Sequence, residues 1–282
     1  MAAKDGDGWT ECSQGHRHWG LHGASGLLVV HHDDLGVPYV LMQKRSWWSH
    51  HGGTWGLPGG ARDSHEDAVT SALREAREEA ALGGEGLRVR GVYLDDHGGW
   101  AFETVIAESA VRLAAAPANR ESTEMRWLAL NEVAGRKLHP GFAATWGDIQ
   151  EELRPETIVL DVANIVGARA EHGWWRDRAG AATRLLEDVA GLRLEHPVLA
   201  QWHPRVVAVV EGAAKSVPGV PGIEVVAAKG SGDDAIVDVV REARPWERVV
   251  VVTADRGLRE RVNELGAEVV GPRWLLAQLS QR

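Results

Sequence analysis

The hydrophobic rhythm of the chain changes at Pro155, and no other feature restricts the possible folds as strongly. Before it, the β-like runs "ASGLLVV", "PYVLMQKR", "LRVRGVYLDD", "WAFETVIAE" and "EMRWLAL" are separated by turns of Gly, Asp and His. One long helical pattern, from about Ser64 to Ala81, interrupts these runs, and a second, "FAATWGDIQEELR", ends at the proline. After Pro155, "TIVLDVA", "RVVAVVE", "IEVVAA", "RVVVVTA" and "AEVVG" are each followed by a turn and a helical pattern. That alternation is the signature of βαβ units around a mainly parallel sheet. Because 282 residues are long for one core, two α/β domains are expected, over 1–154 and 155–282.

With 44% hydrophobic and 25% charged residues, the composition is that of a globular protein in water. The N-terminal "MAAKDGDGWTEC" has no apolar secretion core, and the longest apolar runs fall far below the ~20 residues of a membrane span. No membrane partner is expected. Cys12 is the single cysteine, so no intrachain disulfide can form and a cytoplasmic location is expected. The net charge of −9 lies mostly in the first half, since from Pro155 onward 16 basic residues nearly balance 18 acidic ones. Fourteen of those 16 are Arg, suited to phosphate forks, although a dispersed Arg surface is also ordinary solvation.

The stretch "GGARDSHEDAVTSALREAREEAAL", residues 59–82, concentrates the chemistry of the first half. On a helix, Glu75, Glu78 and Glu79 fall at i, i+3 and i+4, so their carboxylates share one face. Val69, Ala72, Leu73, Ala76 and Ala80 form the complementary apolar stripe, which is expected to pin the helix on a sheet and turn the acids outward. Like charges at this spacing repel. A hard divalent cation, Mg²⁺ or Mn²⁺, resolves that repulsion through carboxylate oxygens, water and substrate phosphate.

This stretch resembles the Nudix box, G-x5-E-x7-R-E-U-x-E-E-x-G-U, through Gly60, Glu66, Arg74, Glu75, Ala76, Glu78, Glu79 and Leu82. The resemblance spans roughly residues 20–150 and implies an α/β/α sandwich with a mixed sheet. It also implies hydrolysis of the pyrophosphate bond of a nucleoside diphosphate linked to another group. Glu78 and Glu79 would hold the metal with a carbonyl at Gly59 or Gly60, Glu75 would be a ligand or the base, and Arg74 would orient the glutamates. Ala81 departs from the pattern where the family has Gly for a left-handed helix cap. Gly83 and Gly84 offer a cap one turn later. Glu121 and Glu124, ahead of "WLAL", are candidates for an added base or ligand, with a surface role the equal alternative.

Three smaller features are ambiguous. Cys12, His16, His18 and His22 fit no standard zinc-finger spacing, and a polar entry loop is the plainer reading. His50 and His51 are positioned to contact substrate phosphate or to be ordinary loop residues. "SWW" at 46–48 and Trp55 could stack on a base, but core or rim packing explains them more simply.

In the second half, acids recur at the ends of expected strands: Asp161, Glu211, Asp233, Asp234 and Asp255. Strand C-termini are where open parallel sheets bind ligands, although a single Asp there is also a common helix cap. The segments "LDVANIVGAR", "GSGDDAIVDVV" and "VVVVTADRGLRERV" are similar to PIN-like NYN nuclease domains. In that family, matching positions at Asp161, Asn164, Asp233, Asp234 and Asp255 imply a metal site for RNA cleavage. The combined reading is a Mg²⁺- or Mn²⁺-dependent Nudix pyrophosphohydrolase acting on a nucleotide, joined to a PIN-like domain that cleaves or binds RNA. The competing reading is a nucleotide sensor whose Nudix half binds without turnover and controls the other domain. The sequence identifies no particular nucleotide and leaves homodimerisation open.

Overall fold

A computed structural model of the chain describes residues 4–169, 175–190 and 192–280. It divides into two compact units, Met1–Leu153 with Glu195–His203, and Arg154–Leu194 with Pro204–Arg282. Among the described residues, no helix is long and apolar enough to cross a membrane.

The first unit begins with β1 (Trp9–Glu11) and β2 (Arg17–Trp19), an antiparallel pair outside the main sheet. It continues with β3 (Ala24–His32), β4 (Pro38–Arg45), β5 (Trp55–Gly56), β6 (Gly59–Ala61), α1 (Ala68–Ala80), β7 (Leu87–Asp96), β8 (Ala101–Ser109), β9 (Ser122–Ala129), α2 (Leu130–Val133) and α3 (Pro140–Glu151). The main sheet is mixed: β3 runs parallel to β8, while β3 and β4, β4 and β9, and β7 and β8 pair antiparallel.

Alternation along the strands builds two cores, because successive side chains point to opposite faces. Leu27, Val29, Leu41, Val105 and Ala107 pack with Ala68, Ala72, Ala76 and Ala80 of α1. Leu28, Val30, Val40, Met42 and Ile106 pack instead with Phe142, Trp146 and Ile149 of α3. The α/β/α sandwich follows from this split. The alanine stripe of α1 lets helix and sheet approach closely, as small side chains do.

The second unit contains β10 (Glu156–Asp161), α4 (Val162–Arg169) and α5 (Arg178–Ala190). The chain then visits the first unit at β11 (Gln201–Trp202), which pairs with β7. It resumes with β12 (Arg205–Val210), β13 (Ile223–Ala227), α6 (Gly232–Glu242), β14 (Arg248–Val252), α7 (Arg256–Glu264), β15 (Glu268–Val270) and α8 (Pro272–Leu279). The sheet order is β13-β12-β10-β14-β15, and every pair is parallel. β10 is buried at all six positions, as a strand covered on both faces must be. Val207, Val209, Val249 and Val251 pack on one face with Ile236, Val240, Leu258 and Val262 of α6 and α7.

The β11 excursion is a feature the sequence reading lacks. Leu199 joins the core beneath α3, and Ala200 N–H donates to the Val92 carbonyl at 2.9 Å. Gly91 on β7 makes room, since a Cβ there would stand 2.8 Å from Leu199 Cδ1. A two-residue strand between prolines carries no periodic signal, which is why it escapes sequence patterning.

Helix α1 starts later than the expected Ser64, because the Asp67 carboxylate caps it by accepting from Thr70 N–H at 2.7 Å. Its end corrects the expectation of a shifted cap. Ala81 itself takes the left-handed conformation with φ +56°, and Leu82 N–H donates to the Ala76 carbonyl at 3.2 Å. A Cβ is strained in that conformation. Ala81→Gly should therefore raise unfolding free energy by about 0.5–1 kcal/mol, read as a higher urea midpoint with unchanged slope.

Candidate active site

The site is assembled where β6 meets α1. Gly59 and Gly60 pair with Gly26 and Ser25 of β3; a side chain at Gly59 would meet backbone, and one at Gly60 would displace the Glu75 carboxyl. A Cβ at Gly59 would stand 2.4 Å from the Ser25 carbonyl oxygen, and one at Gly60 would stand 2.8 Å from the Glu75 carboxyl. The two glycines thus bring backbone against the acidic face of the helix.

Arg74 fixes the join. Its Nε and Nη2 donate to the two oxygens of Glu66 at 2.8 Å each, while Nη2 also donates to the Ala61 carbonyl at 2.9 Å. Nη1 donates to Glu75 at 2.5 Å. Such a planar fork is geometrically selective as well as strong. It holds the Glu66 carboxyl below the usual range, and Glu66 in turn accepts from Asp63 N–H at 3.1 Å. The expected helix position of Glu66 is corrected accordingly: it lies in the loop before α1, tied back to the helix by Arg74.

The expectation that all three helix acids point outward is also corrected. Glu79 is 2% exposed and accepts from Gly59 N–H at 2.9 Å, whereas the Glu78 side chain is 46% exposed and lies 3.5 Å from Lys4 Nζ. Glu75 is partly buried. Burial, reinforced by the charges of Glu75 and Glu121, pushes the Glu79 carboxyl up to about 8. Burial raises Glu75 as well, against the lowering effect of Arg74. These acids share one cavity of about 800 Å³ with Glu121, Gly59 and Gly60, a volume fit for a nucleotide-sized ligand. Glu124 is not among the cavity residues and pairs with Arg126 at 2.5 Å.

Glu75 and Glu79, two carboxyls that burial holds against ionisation, beside the Gly59–Gly60 backbone of β6 and the exposed Glu78, fit a hard divalent cation. Glu75, Glu78 and Glu79 are the donors available to it. Their oxygens are not drawn into a closed cluster, since Glu75 faces Arg74 and Glu78 faces Lys4. That openness leaves positions for water and phosphate.

The same cavity is also lined by histidines and aromatics, several of which sequence reading missed. His50, His51 and His139 each bring a ring nitrogen within 4.8 Å of the others. Burial lowers His139 to about 4, aided by His51 and Arg45. Of "SWW" and Trp55, expected to pack in the core or at the rim, Ser46 and Trp55 are buried, while Trp47 is 80% and Trp48 55% exposed and Trp48 lines the cavity. Trp9, Trp19 and Trp100 line it too. His139, on the far side of α2, had no motif to mark it. Of the first histidine group, Cys12, His16 and His18 come together with His97 rather than with His22, whose Nε2 lies 3.8 Å from Asp5.

In the second unit, the acids gather at the C-terminal edge of the parallel sheet. Asp161 ends β10 and accepts from Thr253 Oγ1 at 2.7 Å and Asn164 N–H at 3.1 Å. Asn164 Oδ1 accepts from Ala254 N–H at 2.9 Å, which ties α4 to the end of β14. Burial raises Asp161, with the charges of Asp233 and Glu211 adding to it. Burial and then Asp255 raise Asp233. Asp255 caps α7 by accepting from Leu258 N–H at 2.8 Å, Glu211 accepts from Gly232 N–H at 2.7 Å, and Asp234 pairs with Arg261 at 2.6 Å. Among the described residues, no three of these acids bring oxygens within 4.8 Å of one another.

The Glu79 environment makes a stability prediction. A carboxyl whose folded-state pKa exceeds its unfolded value favours folding while protonated, and that contribution is lost as pH rises through the folded value. Metal-free protein should lose thermal stability between pH 4.5, the ordinary value, and about 8. Mg²⁺ should restore the midpoint at the upper end, and Glu79→Gln should flatten the profile, as differential scanning fluorimetry would measure.

Comparison with known proteins agrees with this geometry. Residues 21–146 match the family model described as the NUDIX domain. A Mycobacterium tuberculosis protein named "Putative 8-oxo-dGTP diphosphatase 3" is 51% identical over 164 residues, covering 55% of this chain and 73% of that protein. A Bifidobacterium longum "Nucleoside triphosphate pyrophosphatase/Nudix hydrolase fusion protein" is 43% identical over 145 residues, covering 50% of this chain and 30% of that one. The crystal structure of a Nudix hydrolase from M. smegmatis, RenU, superposes with a TM-score of 0.50 at 47% identity, covering 52% of this chain and 94% of that one. By its fold, its glycine-glutamate-arginine arrangement and these relatives, the chain belongs to the Nudix hydrolase family.

Proposed function

We propose that the first unit hydrolyses the pyrophosphate bond of a nucleoside triphosphate, with an oxidised purine nucleotide the leading candidate. The observation that carries this reading is the buried Glu79, which accepts from Gly59 N–H of β6 and lies beside Glu75 and Glu121. The 51% identity to the M. tuberculosis protein named for 8-oxo-dGTP supports the substrate.

Glu75, Glu78, Glu79 and the Gly60 carbonyl would hold Mg²⁺ or Mn²⁺. When bound, the ion would neutralise phosphoryl oxygens and lower the pKa of water. Arg74 keeps Glu75 aimed while sparing Glu79. Glu121, in the cavity but outside the Arg74 fork, is the candidate base that takes the proton from water as its oxygen bonds to phosphorus. The phosphorus–oxygen bond to the leaving phosphate then breaks and the electron pair leaves with that phosphate. In the same cavity, Trp48 and Trp100 offer faces for a base, and His50 and His51 offer donors for phosphate.

For the second unit, the proposal is a PIN-like NYN domain spanning most of 155–282, with Asp161, Asp233, Asp234 and Asp255 as the metal-binding acids, supported by Asn164 and Glu211, acting on or binding RNA. What supports it is the all-parallel sheet with Asp161 and Asp255 at the ends of the adjacent strands β10 and β14. Strand order reverses there, which is where open α/β sheets bind ligands.

Purified chain should be incubated with Mg²⁺ or Mn²⁺ and a panel of nucleoside triphosphates and diphosphate sugars, and separately with labelled RNA. Glu79→Gln should lower nucleotide turnover by at least about 100-fold, with RNA products unchanged. Asp161→Asn should do the reverse. Saturable nucleotide binding without turnover in the wild type would overturn the hydrolase reading and favour a sensor.

A further inference from the structure

Read alone, the segment from Cys12 to His22 looks like an entry loop. Folding changes the set of neighbours. Gly15 N–H donates to the Cys12 carbonyl at 2.9 Å and Cys12 N–H to the His16 carbonyl at 3.0 Å, so the chain between β1 and β2 turns back on itself. His97, from the turn joining β7 to β8, completes the group. One ligand atom from each of Cys12, His16, His18 and His97 lies within 4.8 Å of all the others.

Further observations point to a cation. His97 Nε2 lies 3.1 Å from Asp95 Oδ2, which sets Nε2 as the protonated nitrogen and leaves the Nδ1 lone pair free. That Nδ1 is buried and has no hydrogen-bond partner, and the same holds for His18 Nε2. Buried polar atoms are normally satisfied, so two orphans in one cluster call for a ligand. A carboxylate behind a histidine is the usual outer shell of a bound metal. Stacking on Trp100, at 4.0 Å between ring centroids and 11° between planes, holds the His18 ring in place.

We propose that Cys12, His16, His18 and His97 bind one zinc ion in a closed, tetrahedral site of one thiolate and three imidazoles. Ligands 2.0–2.3 Å from a tetrahedral zinc stand about 3.3–3.8 Å apart, so the cluster closes with side-chain shifts of roughly 1 Å. One thiolate and three imidazoles select zinc, whereas the all-oxygen glutamate face selects Mg²⁺ or Mn²⁺. Four protein ligands leave no open position, which makes the role structural. A free two-stranded pair such as β1 and β2 is marginal in water. Here it is tied to the β7–β8 turn by Ser13, whose N–H donates to the Gly98 carbonyl at 2.8 Å and whose hydroxyl donates to the His97 carbonyl at 2.9 Å. Zinc at this point fastens the pair and the cavity wall formed by His16, His18 and His97.

The test is the metal content of the full chain, purified from zinc-supplemented cells and measured by mass spectrometry. Wild type, His22→Ala and His139→Ala should each carry one zinc per chain, and Cys12→Ser and His16→Ala should carry none. His16 is exposed, so its replacement removes a ligand without disturbing packing. Asp95→Asn should weaken zinc binding by about 10–100-fold in competition with a chromophoric chelator. Cobalt exchanged into wild type should show tetrahedral visible bands and a thiolate charge-transfer band that Cys12→Ser lacks. Wild type without zinc, or zinc retained by both Cys12→Ser and His16→Ala, would overturn the proposal.

Discussion

The Arg74 fork is the interaction on which the first unit's chemistry depends. One guanidinium joins the loop before α1 through Glu66, the end of β6 through the Ala61 carbonyl, and the helix itself through Glu75. Remove it and Glu66 Oε1, Glu75 Oε1 and the Ala61 carbonyl lose the guanidinium donor at once. The fork also divides labour among neighbouring acids: Glu66 and Glu75 share the one guanidinium, and Glu79 has no cation, only the Gly59 N–H, against its burial and the charges of Glu75 and Glu121. A lysine could not reproduce this, having one compact charge and no planar geometry.

Much of the first unit was legible in its sequence because its periodicities are clean. The α1 stripe of alanines and the alternating valines and leucines of β3 and β4 fix both faces of the sheet, and the spacing of Glu75, Glu78 and Glu79 puts them on one side of a helix. What periodicity could not reveal is depth. Glu79 sits one turn beyond Glu75 yet is sealed against the Gly59 amide, because β6 packs against that end of the face. Spacing places a side chain around a helix axis, but only the neighbouring element decides how much water reaches it. Ala81 illustrates the same limit, since its left-handed backbone is imposed by the exit from α1 and not by its own preference.

His97 and His139 mark another boundary of sequence reading. Each is a lone residue outside the strands and helices that meets its histidine partners only through long-range folding. No local pattern encodes such meetings. In the second unit the reverse applies, for βαβ alternation places strand ends on one edge of the sheet wherever the helices lie. Asp161 and Asp255 were therefore readable as neighbours, while the commitment of Asp234 to Arg261 and of Asp255 to capping α7 was not.

The return of Glu195–His203 to the first unit bears on how such a chain can be dissected. Two domains joined end to end can be separated by one cut, expressed apart and recombined. Here the chain passes between the units three times, so the segment that supplies β10, α4 and α5 to the second unit interrupts the first. A fragment ending at Leu153 would leave the outer edge of β7 without its strand and the core without Leu199. Excising the first body intact requires that residues 154–194 be replaced by a linker and the chain ended after His203, and not simply that one end be removed.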